Sequence, residues 1–290
     1  MAETKLSMAV LLAGGPRPSE LLRATGRSTL DLHVTSERTV LENWVERLGE
    51  LGVQGPDRLV VVHDTRTPTP SAPGLEPAPG FPEVEIIRER ADFRGPAGLC
   101  RDVCDELGGD EVVLVAEAAR YVSQELGPML RTHDLRDADV TVGRNPDQTP
   151  SGVFMLRRKT LDLVPSVGFT DLKEQWLGSV LENGFAVWAH TFDAPGMMQL
   201  RTRRQLLRAG SLACGRLFCT RDGVIRVPAA EARAWSVVAP GAEVSGRAAV
   251  LDSIVMPGAV VAEGAVVARS VVCPGGRVDA GSRVVDAVVA

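Results

Sequence analysis

Val237–Ser253 reads VVAPGAEVSGRAAVLDS, Val255–Val271 reads VMPGAVVAEGAVVARSV, and Val272–Val288 reads VCPGGRVDAGSRVVDAV. Valine recurs every 17 residues in three sets: Val238, Val255, Val272 and Val289; Val244, Val261 and Val278; Val250, Val267 and Val284. Each repeat therefore divides as six, six and five, with Pro-Gly following its first valine. One inward aliphatic residue on each of three short faces, with glycine and small residues at the corners, predicts about three coils of a triangular parallel β-helix. A meander of strands alternates with period two and would not hold valine in this register.

Upstream the pattern changes to strands alternating with helices. KLSMAVLLAGG predicts a strand and loop, TVLENWVERLGELG a helix with an apolar stripe at Val40, Trp44, Leu48 and Leu51, and DRLVVVHD a second strand. VEIIRER, AGLCRDVCDELG and DEVVLVAEA continue as strand, helix and strand. This predicts a mainly parallel sheet with helices on both faces, with ligands bound beyond the carboxyl ends of its strands. The expected boundaries are 1–232 for this α/β domain and 233–290 for the coils. Between Asp64 and Glu83 six prolines exclude helix and central strand and predict an exposed loop.

The chain has 290 residues, 44% of them hydrophobic, enough for a large core and a smaller one. A net charge of −5 and the lack of a basic block interleaved with aromatics argue against a polynucleotide partner. The apolar stretch Met8–Ala13 is too short for a signal core or a membrane span, so a cytoplasmic protein is expected. Five cysteines argue against a disulfide framework. Cys100-x3-Cys104 and Cys214-x4-Cys219 have the spacing of zinc half-sites, but Cys100 and Cys104 fall on one helical face and are expected in the core.

The segment order resembles the sugar-1-phosphate nucleotidyltransferases, over nearly the whole chain. Leu12-Ala13-Gly14-Gly15 is similar to the family's LAGG start, where glycine lets backbone N–H groups approach a nucleotide. Gly95-Pro96-Ala97-Gly98-Leu99 resembles the GTAG-type loop that lies against the base, and SGVFMLRR (Ser151–Arg158) resembles a later family strand. The C-terminal repeat resembles the hexapeptide left-handed β-helix attached to many members. The resemblance implies a Rossmann-like nucleotide-diphospho-sugar transferase domain, with Leu12, Ala13, Gly14, Gly15, Gly95, Ala97 and Gly98 as nucleotide-binding residues. Acyltransferases that share such coils typically use a histidine there as general base, whereas His33, His63, His133 and His190 all lie upstream, so the coils are expected to serve assembly.

The family's reaction, attack of a sugar phosphate on a nucleoside triphosphate, needs a basic clamp and a magnesium ion held by carboxylates. Here LAGG runs into Pro16-Arg17-Pro18, and two prolines remove backbone donors from the phosphate cradle. Arg17 and Arg27 stand in for the family's arginine and lysine, or are exposed surface arginines. At the family's first aspartate position the chain has Ala118, with Glu117 beside it; Asp193 is the nearest match to the second aspartate, or else caps the helix expected over MMQLRTRRQLLRA. The leading expectation is a catalytically impaired nucleotide- or nucleotide-sugar-binding member, regulatory or assembling as a homo-oligomer or with a partner subunit through its coils. The alternatives are an active nucleotidyltransferase using Mg2+ on Glu117 and Asp193, and a scaffold with no ligand.

Overall fold

The structure is a computed structural model; it describes residues 4–15, 17–71, 78–89, 94–215, 218–219, 225–226 and 235–290. Pro16, and Pro73 and Pro77 of the proline-bearing segment, lie outside the described residues. The protein is a mixed α/β chain whose contacts define two compact units: Met1–Gly14, Trp44–Ala118 and Gln124–Met197 form the first, and Gly15–Asn43, Ala119–Ser123 and Met198–Ala290 the second. The strands are β1 (Leu6–Leu12), β2 (Arg58–His63), β3 (Glu83–Arg88), β4 (Val112–Glu117), β5 (Arg120–Val122), β6 (Val140–Arg144), β7 (Pro150–Arg157), β8 (Val187–Thr191) and β9 (Met197–Gln199), followed by the short strands of the coils. The α-helices are α1 (Glu20–Thr25), α2 (Val40–Gly49), α3 (Gly95–Val103), α4 (Gly127–Leu135), α5 (Leu177–Glu182) and α6 (Arg203–Ala213).

The first unit is built on a seven-stranded sheet of order β3-β2-β1-β4-β7-β6-β8. Its pairs are parallel except those made by β7, which runs antiparallel to β4 and β6. LSMAVLL, RLVVVH and VVLVAE are nearly unbroken apolar runs, as strands covered on both faces require. On one face Met8, Val10, Val60, Val62, Val113, Val115 and Phe154 pack with Ala97, Cys100 and Cys104 of the α3 region and with Leu172, Trp176 and Val180. On the other face Ala9, Leu11, Leu59, Val61 and Leu114 are fully buried, and α4 packs against β6, β7 and β8. Each such buried valine or leucine contributes roughly 1.5–3 kcal/mol relative to its exposed state. Cys100 and Cys104 take the expected core position, and burial raises the Cys104 thiol to about 12 and the Cys100 thiol well above its ordinary value.

Two helices depart from the sequence expectation. α3 begins at Gly95, with Pro96 in its first turn, and ends at Val103, where Cys104 is its cap. MMQLRTRRQLLRA is not one helix: Met197–Gln199 is strand β9, and α6 starts only at Arg203. Its cap is Thr202, whose hydroxyl accepts from the Gln205 N–H while the Gln205 side chain returns to the Thr202 N–H, a capping box that leaves Asp193 no such role. Within the proline-bearing segment the described residues before β3 form only turns and irregular chain, with Pro70 buried rather than exposed.

In the second unit the coils form three parallel sheets, each taking one strand from every repeat. Val238, Val255, Val272 and Val289 are register partners, as are Val244, Val261 and Val278, and Val250, Val267 and Val284. Val255, Val261, Val267, Val272 and Val278 share a core with Ala259 and Ala265. Gly241, Gly258 and Gly275 turn one corner with positive φ, but another corner is turned by Asp252, Arg269 and Asp286 at φ 48, 46 and 54°. Serines repeat beside that corner: the Ser253 hydroxyl accepts the Ser270 N–H at 3.0 Å, and the Ser270 hydroxyl the Ala287 N–H at 3.1 Å. α6 packs on the coil face, where a side chain at Gly210 would meet Trp235 and Ile254 at 3.1–3.3 Å.

Candidate functional site

In a sheet of this order the direction of strand succession reverses between β1 and β4, and crevices that accept ligands open outside the carboxyl ends of the strands at such a reversal. Leu12 and Glu117 are register partners there, and the Ala118 N–H donates to the Leu12 carbonyl at 3.0 Å. Leu12 and Ala13 are half-buried and Gly14 is exposed. The Ala13 N–H is spent on the Val62 carbonyl at 2.7 Å. A side chain on Gly14 would press on Asp64, whose carboxylate accepts the N–H groups of Arg66 and Thr67 and pairs with the Arg66 guanidinium at 3.3 Å.

Glu117 at the end of β4 pairs with Lys173 Nζ at 2.7 Å. Lys173 is held there by its own element. Leu172–Trp176 is a π-turn capped by Asp171, whose carboxylate accepts from the Lys173 and Glu174 N–H groups, and Trp176 anchors it by donating to the Thr160 carbonyl at 2.9 Å. The glycine-bearing segment expected to touch a base is committed to positioning this turn. Gly95, Ala97 and Gly98 are buried in α3; the Ala97 N–H donates to the Thr170 carbonyl and the Thr170 N–H to the Arg94 carbonyl, both at 3.1 Å. Gly95 has φ +71°, and a Cβ there would stand 2.6 Å from the Thr170 oxygen. Gly98 makes room for the Arg94 side chain, which is 7% exposed and binds Asp102 through two nitrogens at 2.7 and 2.8 Å and the Pro165 carbonyl at 3.1 Å.

Gly15, Arg17 and Arg27 belong to the second unit; Arg17 and Arg27 are exposed, and Arg27 reaches the Pro274 carbonyl at 3.5 Å. Asp193 is exposed just after β8, and β8 is separated from β4 by β7 and β6, three strand spacings or roughly 14 Å. Among the described residues no three His, Cys, Asp or Glu side chains gather as metal ligands would. Glu117 with its charge met by an ammonium, and Asp193 on a distant strand, do not suit a magnesium ion, which needs compensating carboxylate charge. Also among the described residues, no helix is long and apolar enough to cross a membrane.

A cleft of about 500 Å3 lies to one side, along β2 and β3 beside α3, floored by Val60, Val62, Ile87, Leu99 and Val103. Of the three cations that line it, Arg58 pairs with Glu85 at 2.9 Å and with Glu106, and Arg94 with Asp102, while Arg88 stands on the same wall. With Glu89 and Asp105 also on its rim, the cleft carries excess negative charge and is a poor place for phosphate. Sequence reasoning missed Lys173. The signal was present: it is one of only three lysines in a chain whose other cations are all arginine, and it stands two residues after a capping aspartate.

No protein-family model matches this chain, and a comparison with curated proteins likewise finds no match.

Proposed function

We propose that the chain binds a nucleotide or nucleotide sugar without turning it over, as a catalytically impaired relative of the sugar-1-phosphate nucleotidyltransferases. In this reading the first unit is a Rossmann-like domain and the coils are a left-handed β-helix. The strand order with its reversal at β1 and β4, and the 17-residue register of the coils, support the architecture. The observation that carries the functional part is the Glu117–Lys173 pair at the carboxyl end of β4. An ammonium has three donors, so Lys173, paired with Glu117, keeps two N–H groups that can donate to a phosphate oxygen with no metal. The same pairing removes the carboxylate that metal-assisted transfer would need.

The test is thermal stabilisation of the full chain by nucleoside di- and triphosphates and nucleotide sugars, with and without a chelator, beside a pyrophosphate-release panel over NTP and sugar phosphate pairs. The expected result is stabilisation by at least one nucleotide class, insensitive to chelation and weakened in Lys173→Ala, with no pyrophosphate. Magnesium-dependent release that disappears in Glu117→Ala and Asp193→Ala would establish the enzyme instead. Absence of any shift would leave the scaffold.

A further inference from the structure

The seven-stranded sheet ends in two unlike edges. β3, EVEIIR, carries charge at Glu83, Glu85 and Arg88, the usual protection of an edge strand against pairing with another chain. β8, VWAHT, has no lysine, arginine, carboxylate, proline or glycine, and among the described residues pairs only with β6. Trp188 is 42% exposed, and Ala189 and Thr191 are exposed as well.

The hydrogen bonding tells which backbone groups face outward. The Ala186 carbonyl accepts from Val140, and the Phe192 N–H donates to the Arg144 carbonyl, so even-numbered residues of this stretch point their N–H and C=O groups at β6. Val187, Ala189 and Thr191 therefore point theirs away from the sheet. We infer that β8 is the site of association with a second copy of this chain, through antiparallel β8–β8 pairing that joins two sheets across a two-fold axis.

Two features select that occupant over an unrelated strand. A two-fold axis perpendicular to the sheet and centred on Ala189 pairs Ala189 with its own mate and Val187 with Thr191 of the second copy, which engages every outward backbone group of the strand. It also sets Trp188 opposite His190 of the second copy on one face, an aromatic cross-strand pair in the closer, non-hydrogen-bonded position. This interface is separate from the coils, and the inference stands whether or not the chain binds nucleotide.

The experiment is light scattering or sedimentation on the full chain over a dilution series, with Ala189→Lys, Ala189→Pro and, as a control on the coils, Val285→Lys. Wild type and Val285→Lys are expected at twice the mass of one chain, and both Ala189 variants at the mass of one chain with unchanged circular dichroism. Ala189→Pro deletes an N–H that the ladder with β6 does not use, and Ala189→Lys keeps the test valid should the proline disturb folding. Amide exchange at Val187, Ala189 and Thr191 is expected to slow by roughly tenfold from the dilute to the concentrated end. A wild type with the mass of one chain throughout, a dimer surviving both Ala189 variants, or a dimer lost only in Val285→Lys would overturn the inference.

Discussion

On one side of the β1–β4 junction, β2, β3 and α3 enclose a cleft with exposed ion pairs of Arg58 on its rim and the buried Arg94 beside them. On the other side, β7, β6, β8 and α4 have drawn polar groups inside: His133 and Thr141 are 1% and 0% exposed and share a 2.9 Å hydrogen bond, and Ser151 is fully buried. One flank buries His63 and Arg94 but keeps charged side chains along β3, so its edge strand is guarded. The other buries its polar side chains and leaves backbone as the polar surface of its edge. The same sheet thus carries a solvent-tolerant flank and an association-prone one, and the site at the junction draws Glu117 from the sheet and Lys173 from the turn that α3 positions.

The comparison can be broken by substitution. Gly95→Ala should have the largest effect, about 4 kcal/mol of stability by denaturant unfolding, since it combines a left-handed φ with a clash on the Thr170 backbone. A loss below about 1 kcal/mol would mean that α3 and the π-turn are not locked together. His133 comes next. Burial is the main cause that lowers its pKa from 6.5 to about 4, with Arg157 adding to it, and its Nε2 has no hydrogen-bond partner. The unfolded chain therefore binds the proton first as pH falls, so the contribution is complete above pH 6.5 and declines toward pH 4, by about 3 kcal/mol in all. His133→Gln should flatten that part of the stability profile; an unchanged slope would place the titration elsewhere. Gly143→Ala, on the same flank, should lose about 2 kcal/mol, because a Cβ there runs into the Ser151 hydroxyl, the Phe192 ring and the Val153 carbonyl. Lys173→Ala should be smallest in stability, below about 1 kcal/mol for a half-exposed pair, while reducing nucleotide-induced stabilisation. Equal stabilisation in that variant would remove Lys173 from the site.

The coils were legible because a 17-residue spacing states a register three times over, and strands β1, β2 and β4 because an unbroken apolar run has few other uses. The candidate site was legible only in halves. Glu117 could be placed at the end of a strand, but its partner Lys173 lies 56 residues further on, and local pattern carries no information on such a pairing. Gly95 and Gly98 announced a close approach of backbone without saying to what; the answer, Thr170 and Arg94, depends on how the turn packs. The late start of α6 could have been read from Thr202-x-x-Gln205, which competed with the apolar spacing of Met197, Met198 and Leu200.

The corner formed by Asp252, Arg269 and Asp286 has a further consequence. Its signs alternate from one coil to the next; Arg269 pairs with Asp286 at 2.7 Å and feels the field of Asp252. The valines of successive coils are interchangeable, so aliphatic packing alone would accept a stack in which one coil is skipped. Skipping the middle coil would bring Asp252 against Asp286, acid upon acid. The alternation therefore sets opposite signs beside each other in successive coils, which the identical valines do not do.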